Sequence, residues 1–201
     1  MVSIDPYEAY RQAIRAVLPE ARIVVDHFHL VRGANTALDS VRRERQREHG
    51  RRKPKGARRS GVGASWRQDL YSTRHRLLKA GERLTAQAPS ALRAVRTRAH
   101  DRRGPALKEA FRQVYRAPDR REAERRLDHF LGAVGRAQLP AYTAFADGVR
   151  LRRTELLAYF DEPTTNGYAA GVINKVKVIE RRAYGLPTFT GFPARALLAC
   201  A

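Results

Sequence analysis

The sequence predicts an α/β fold that is mostly helical. Three observations carry that expectation. Apolar residues recur at helical spacing through much of the 201 residues; one short β-branched run, Ile23-Val24-Val25, reads as a buried strand; and Pro89, Gly104-Pro105, Pro118 and Pro140 punctuate the helical stretches. The length suits one ordinary domain with a real core and an insertion.

Taken in order, Asp5-Pro6 reads as a helix start, with Asp5 as the cap and Pro6 at the first helical position. Tyr7, Tyr10, Ile14 and Val17 follow at helical spacing, and Pro19 ends that helix. The strand Arg22-Ile23-Val24-Val25 then delivers Asp26 at its carboxyl end, where ligands gather in α/β sheets. Asp26 has two readings. It can cap the next helix, marked by Phe28, Val31, Ala34, Leu38 and Val41, or it can act as a ligand-binding carboxylate. His27 and His29 lie two apart and so point in different directions on a helix; His29 reads as a packing residue or a support for its neighbours.

From Arg42 to Gly63 the sequence reads as a basic segment containing Gly and Pro and lacking periodicity, with Arg51, Arg52 and Lys53 at the head of its densest run. A solvated linker and an arm for the DNA backbone both fit that composition. Residues 64–160 read as a succession of helices whose core stripes include Leu107, Phe111 and Val114, then Ala123, Leu127, Phe130 and Val134, then Tyr142, Phe145 and Val149. Asp161-Glu162-Pro163-Thr164-Thr165 reads as a loop leading into the most patterned stretch of the chain, Asn166 to Gly185.

As a helix from about Tyr168 to Ala183, that stretch gathers Val172, Val176, Ile179 and Ala183 on one apolar stripe. At 100° per residue, Ala170, Asn174, Lys177 and Arg181 fall on the opposite side. This polar face, with Lys175 and Arg182 beside it, can meet phosphate.

The balance of 40 Lys+Arg against 20 Asp+Glu gives a net charge of +20, so the expected partner is a polyanion, nucleic acid first. Most of these cations are arginines, which suits bidentate phosphate contacts; a general bias toward Arg would give the same excess. The single cysteine, Cys200, excludes an intramolecular disulfide and fits a cytoplasmic location, and no apolar run is long enough to span a membrane.

Two stretches, Ile23 to Arg32 and Asn166 to Gly185, resemble the DDE transposases of the ISL-three class of bacterial insertion sequences. In that family a strand, an Asp and a Phe-His-hydrophobic sequence are followed, beyond an all-helical insertion, by a block reading roughly Asn-Gly-x-x-Glu-Gly-x-Asn-x-Lys-x-Lys-x-x-Lys-Arg-Arg-x-Tyr-Gly. The resemblance implies a partial ribonuclease H-like core over 1–41 and a basic flexible segment over 42–63. It further implies a helical insertion over 64–160 and a C-terminal catalytic-helix segment over 161–201. It also implies two Mg2+ or Mn2+ ions held by three carboxylates for cleavage and strand transfer at transposon-end DNA. Asp26 takes the place of the second carboxylate and metal ligand. Asn174, Lys175, Lys177, Arg181, Arg182, Arg51, Arg52 and Lys53 are the expected DNA-binding residues.

This sequence departs from the pattern at Ala170, where the family carries its catalytic Glu, and at Glu180, where it usually carries Lys. The family's first Asp is expected upstream of Met1, and Asp5, beside a helix start, does not replace it. The expectation is therefore a truncated transposase segment with one carboxylate, inactive alone, that self-associates or joins a full-length transposase. The alternatives are a non-catalytic basic DNA-binding protein and a decayed remnant.

Overall fold

The computed structural model describes residues 1–51, 74–79, 99–164, 167–182 and 197. They form two compact units, Met1–Pro163 and Thr164–Ala201. The first begins with a strand that the sequence reading missed. Val2–Ile4 (β1) pairs in parallel with Ile23–Val25 (β2), in the register Val2↔Ile23, Ser3↔Val24 and Ile4↔Val25. Helix α1 (Glu8–Val17) makes the crossover between them.

Asp5 therefore does not cap α1. The N-cap position belongs to Tyr7, whose side chain makes no capping bond, and Asp5 instead follows the last residue of β1. The reason is local: three apolar or small residues, Val2-Ser3-Ile4, can sit beside the fully buried β2, and pairing there satisfies backbone groups that a loop would leave open. Two backbone bonds, Val2 N–H to Arg22 O at 2.8 Å and Asp26 N–H to Ile4 O at 2.9 Å, fasten the two ends of the pair.

Helix α2 (His27–Arg51) leaves β2 directly and runs 25 residues. The expected basic loop from Arg42 thus starts no earlier than residue 52, because 42–51 are helical. Charge pairs one turn apart account for this: Arg42 and Arg43 both meet Asp39, at 2.6 and 2.7 Å, and Arg45 meets Glu48 at 2.7 Å. Helical periodicity is hidden when the stabilising contacts are ionic rather than apolar. Residues 52–63, Arg52 and Lys53 among them, lie outside the described residues.

A short helix α3 (Arg74–Leu78) precedes α4 (Ala99–Val114), α5 (Arg120–Ala137), α6 (Pro140–Leu151) and α7 (Arg153–Leu157), which ends in a 3-10 turn at Ala158–Phe160. Of the expected breakers, Pro140 stands at the start of α6 and Pro118 lies in the connection before α5. There Asp119 caps α5 by accepting the Glu122 N–H at 2.8 Å. Gly104-Pro105 does not break its helix, and Pro105 lies inside α4. Packing overrides the local cost: Leu107, Phe111 and Val114 are all buried on the same helix.

One apolar cluster joins the described elements of this unit. It runs from Ile4, Ile23 and Val25 through Leu30, Leu38 and Val41 of α2 to Phe111, Phe130, Tyr142 and Leu156. Tyr142 marks the junction of three helices, donating its hydroxyl to Gly104 O at 2.9 Å and Ala34 O at 3.3 Å. Two glycines let the helices close up: a Cβ on Gly104 would lie 2.8 Å from Leu38 Cδ1, and one on Gly33 would lie 2.7 Å from Phe145 Cε2. Helices α4 and α6 thus pack directly against α2, and α7 with its 3-10 turn packs against β2, while α5 packs on the other helices.

In the second unit, Gly167–Arg182 forms helix α8. Val172, Val176 and Ile179 are half-buried, while Asn174, Lys175, Lys177 and Arg181 are exposed, as the stripes read from the sequence require. Ile173 and Val178 are also exposed and flank the polar face. The side chains of Ala170 and Arg182 lie outside the described residues, as does Ala183.

Candidate functional site

The site is assembled by register. Because Ile4 pairs with Val25, the next residues on the two parallel strands are Asp5 and Asp26, which emerge side by side where the strands end. The third member comes from α2, since Asp26 precedes that helix and His29 lies one turn into it. His29 Nδ1 is 3.1 Å from Asp5 Oδ1 and 3.3 Å from Asp26 Oδ2. One ligand atom from each of Asp5, Asp26 and His29 falls within 4.8 Å of the other two, the one such group of potential metal ligands among the described residues.

Asp26 divides its two oxygens between two tasks. Oδ1 accepts the Phe28 N–H at 3.1 Å, the capping bond of α2, while Oδ2 faces His29. The cap reading is therefore realised, and the second oxygen is left facing His29. The carboxylate is only 3% exposed, so its orientation is fixed by packing as well as by that bond, whereas Asp5 is half-buried and more open to solvent.

His27 points elsewhere, as its spacing from His29 implies. Its ring lies between Tyr115 and Tyr159, with centroids 5.6 and 5.2 Å away. Its Nδ1 is 3.6 Å from Asp26 Oδ1 and makes no hydrogen bond. The hydroxyl of Tyr115 is buried and likewise unpartnered. Burial, with lesser contributions from Tyr159 and Asp26, pushes that hydroxyl well above the usual phenol range, so it stays protonated. The rings of Tyr115 and Tyr159 thus pack against His27, the residue that follows Asp26.

The donor set fits a divalent ion. Two carboxylates supply hard oxygens of the kind magnesium and manganese take, and an imidazole nitrogen is tolerated better by manganese. Asp161 does not join the group: it is engaged by Arg22 and Arg120. Of the expected DNA-binding residues, Asn174, Lys175, Lys177 and Arg181 stand exposed on α8, Arg51 is the last residue of α2, and Arg182 ends α8.

Sequence reading found Asp26 and set His29 aside as a supporting residue; it dismissed Asp5 as a ligand. A signal was present. Val2-Ser3-Ile4-Asp5 repeats in miniature the pattern of Ile23-Val24-Val25-Asp26, a short apolar run ending in Asp, but three residues and a following proline read more simply as a helix start. What the sequence reading did not expect is that register brings Asp5 beside Asp26.

The described residues thus combine a two-strand parallel unit, acidic residues at its carboxyl end and helices packed behind it, in a chain of net charge +20. Comparison with known proteins gives the family. The family model of the ISL-three group of DDE proteins, described as "Transposase", matches residues 1–196, and the chain belongs to this transposase family. It is 27% identical, over its whole length, to the transposase for insertion sequence element IS1557 of Mycobacterium tuberculosis, covering 47% of that protein. It is 26% identical over 92% of its length to the transposase for insertion sequence element IS1001 of Bordetella parapertussis, covering 43% of that one. The chain therefore spans about half the length of the curated relatives it matches. No solved structure matches it. No helix among the described residues is long and apolar enough to cross a membrane.

Proposed function

We propose that this chain carries part of the metal-dependent DNA-cutting centre of a transposase, with Asp5 and Asp26 as its carboxylates and His29 beside them. The supporting observation is the juxtaposition of these three side chains at the ends of two register-matched parallel strands. In this reading the strands belong to a ribonuclease H-like sheet, the helices of 99–157 to its insertion, and the substrate is transposon-end DNA in the cytoplasm.

A divalent ion bound there would polarise a phosphodiester and lower the pKa of a bound water. The chain's own residues have defined tasks around it. Asp26 is held by the Phe28 N–H so that Oδ2 keeps one direction, and His29 keeps the two carboxylates together while the ion is absent. The rings of Tyr115 and Tyr159 pack against His27, next to Asp26 in the chain. Asn174, Lys177 and Arg181 on α8 hold phosphates, and Arg51, Arg52 and Lys53 add backbone contacts.

The test is Mn2+ binding followed by thermal unfolding. At a concentration about 100 times its Kd, a bound ion stabilises by about 2.7 kcal/mol. For a chain of this length that raises Tm by roughly 5–10 °C. Asp5→Asn and Asp26→Asn each abolish the rise. Asn caps helices about as well as Asp, so Asp26→Asn keeps the fold while losing the ligand. Equal Mn2+ stabilisation in both variants would sink the proposal. Cleavage of duplex DNA in Mn2+, lost in the same variants, extends it to catalysis.

A second reading is favoured by Ala170: a methyl group cannot coordinate a metal where the family carries Glu. Under it, the chain binds DNA through its basic surfaces without cutting, alone, as an oligomer or alongside a longer transposase. Preference for transposon-end over random duplex at physiological salt, with no cleavage in Mn2+, is its signature.

A further inference from the structure

Helix α2 presents one stripe to solvent from its first turn almost to its end. Phe28, Arg32, Thr36, Ser40, Arg43 and Arg47, spaced by fours and one three, are all exposed. The stripe begins at the carboxylate cluster. Phe28 is 62% exposed, its ring lies edge-on to His29 at 5.7 Å, and its N–H is the one that donates to Asp26. An exposed aromatic ring thus stands edge-on to the imidazole that meets the two carboxylates.

The charges along the stripe differ in kind. Arg43 is occupied by Asp39, but Arg32 and Arg47 carry no ion pair among the described residues. Of the acids on this helix, Asp39 is taken by Arg42 and Arg43 and Glu48 by Arg45; Glu44, exposed and about 60° around the helix from Arg47, forms no ion pair with it among the described residues. From Phe28 to Arg47 the stripe is about 28 Å long at 1.5 Å per residue. That is the length of roughly eight nucleotides at the 3.4 Å rise of a base-stacked strand, and of fewer in an extended one. The helix ends at Arg51, and the sequence continues into Arg52 and Lys53.

We propose that this face of α2 is the path of a frayed DNA end at the carboxylate cluster. Phe28 stacks on the unpaired base nearest the cluster, and Arg32 and Arg47 hold phosphates farther along the strand. Thr36 and Ser40 keep the ground between the arginines low and polar. A solvated basic face alone accounts for the arginines but gives no reason for a large apolar ring at the end nearest the carboxylates. The inference rests on reading the chain as a protein that handles DNA, not on its cutting DNA.

The experiment uses the full chain, in EDTA, with a forked oligonucleotide carrying 2-aminopurine in its unpaired arm. Binding by the unsubstituted chain quenches the fluorophore. Phe28→Ala loses the quenching and weakens affinity about tenfold, while Phe28→Trp restores both. Arg32→Gln and Arg47→Gln each reduce the slope of log Kd against log salt by about 1. Arg15→Gln, on the exposed surface of α1, leaves the slope unchanged.

Quenching retained in Phe28→Ala, or an equal slope change for Arg15→Gln, overturns the path. So does light scattering showing, without DNA, a dimer that Phe28→Ala converts to a monomer, because the stripe would then be covered by a second copy. Far-ultraviolet circular dichroism confirms that each variant is folded, and Phe28→Trp carries the test if Phe28→Ala does not fold. Since no metal is present, these readings fail independently of the Mn2+ test. Loss of the path leaves the metal centre standing, and loss of the metal centre leaves the path standing.

Discussion

Gly33→Ala sets two effects of known size against each other. Gly33 lies inside α2, where replacing Gly by Ala ordinarily gains about 1 kcal/mol of helix propensity. Here the added methyl would sit 2.7 Å from Phe145 Cε2 and 3.2 Å from Cδ2, so the ring or the helix must retreat by about 1 Å to reach normal carbon contact. Phe145 is poorly placed to yield, being packed against Phe111 at 5.0 Å and Phe130 at 6.1 Å. Overpacking of this kind costs typically 1–3 kcal/mol, roughly twice the propensity gain at its midpoint. The net expectation is a loss of about 1 kcal/mol, a fall in Tm of roughly 2–4 °C. Gly135→Ala is the matched control: it is also helical, nothing lies within 4 Å of its Cβ position, and its Tm should rise by a similar amount. Differential scanning calorimetry of both variants and of Gly33→Ala/Phe145→Leu decides the matter. If Gly33→Ala stabilises as Gly135→Ala does, the close approach of α2 and α6 is not what fixes the position of α2. If Phe145→Leu fails to relieve the loss, the ring is not the obstacle.

Two further expectations concern the helical packing. Tyr142→Phe removes a buried hydroxyl shared by Gly104 O and Ala34 O and costs about 1 kcal/mol, read as a lower urea midpoint at unchanged m-value; an unmoved midpoint would mean the bonds contribute nothing net. The hydrogen bond from Arg153, aided by its charge and opposed by slight desolvation, holds the Asp128 carboxyl below its usual range. A lowered folded pKa gives stability that is present above the unfolded value and is lost as pH falls through the folded one. Arg153→Met should therefore cost up to about 1 kcal/mol at neutral pH, because the pair is exposed, and that deficit should shrink below about pH 4. A deficit independent of pH down to 2 would assign the loss to packing.

Periodicity and local chemistry carried much of the helical architecture. The stripes of Phe111, Phe130, Tyr142 and Val149 were legible because burial of one helix face leaves a 3.6-residue pattern in the sequence. The same holds for the strand Ile23–Val25, whose three residues are all buried, and for Asp26, which had to follow it. The paired motifs around Asp26 and Asn174 made the family legible, since they are long and in the right order.

What escaped sequence reading depended on partners distant in the chain. Val2–Ile4 is a strand only because β2 lies beside it, and Asp5 becomes a neighbour of Asp26 through a register that no local signal encodes. Pro105 stays within α4 because tertiary burial outweighs a local preference, and α2 extends past Arg42 because ion pairs replace apolar periodicity. The sequence by itself determined the helices, one strand, one carboxylate and the polyanion partner to expect, all properties of contiguous residues. Only the tertiary structure decided that there are two carboxylates and that His29 stands between them, because a metal-sized cluster is made by the meeting of two strands and a helix.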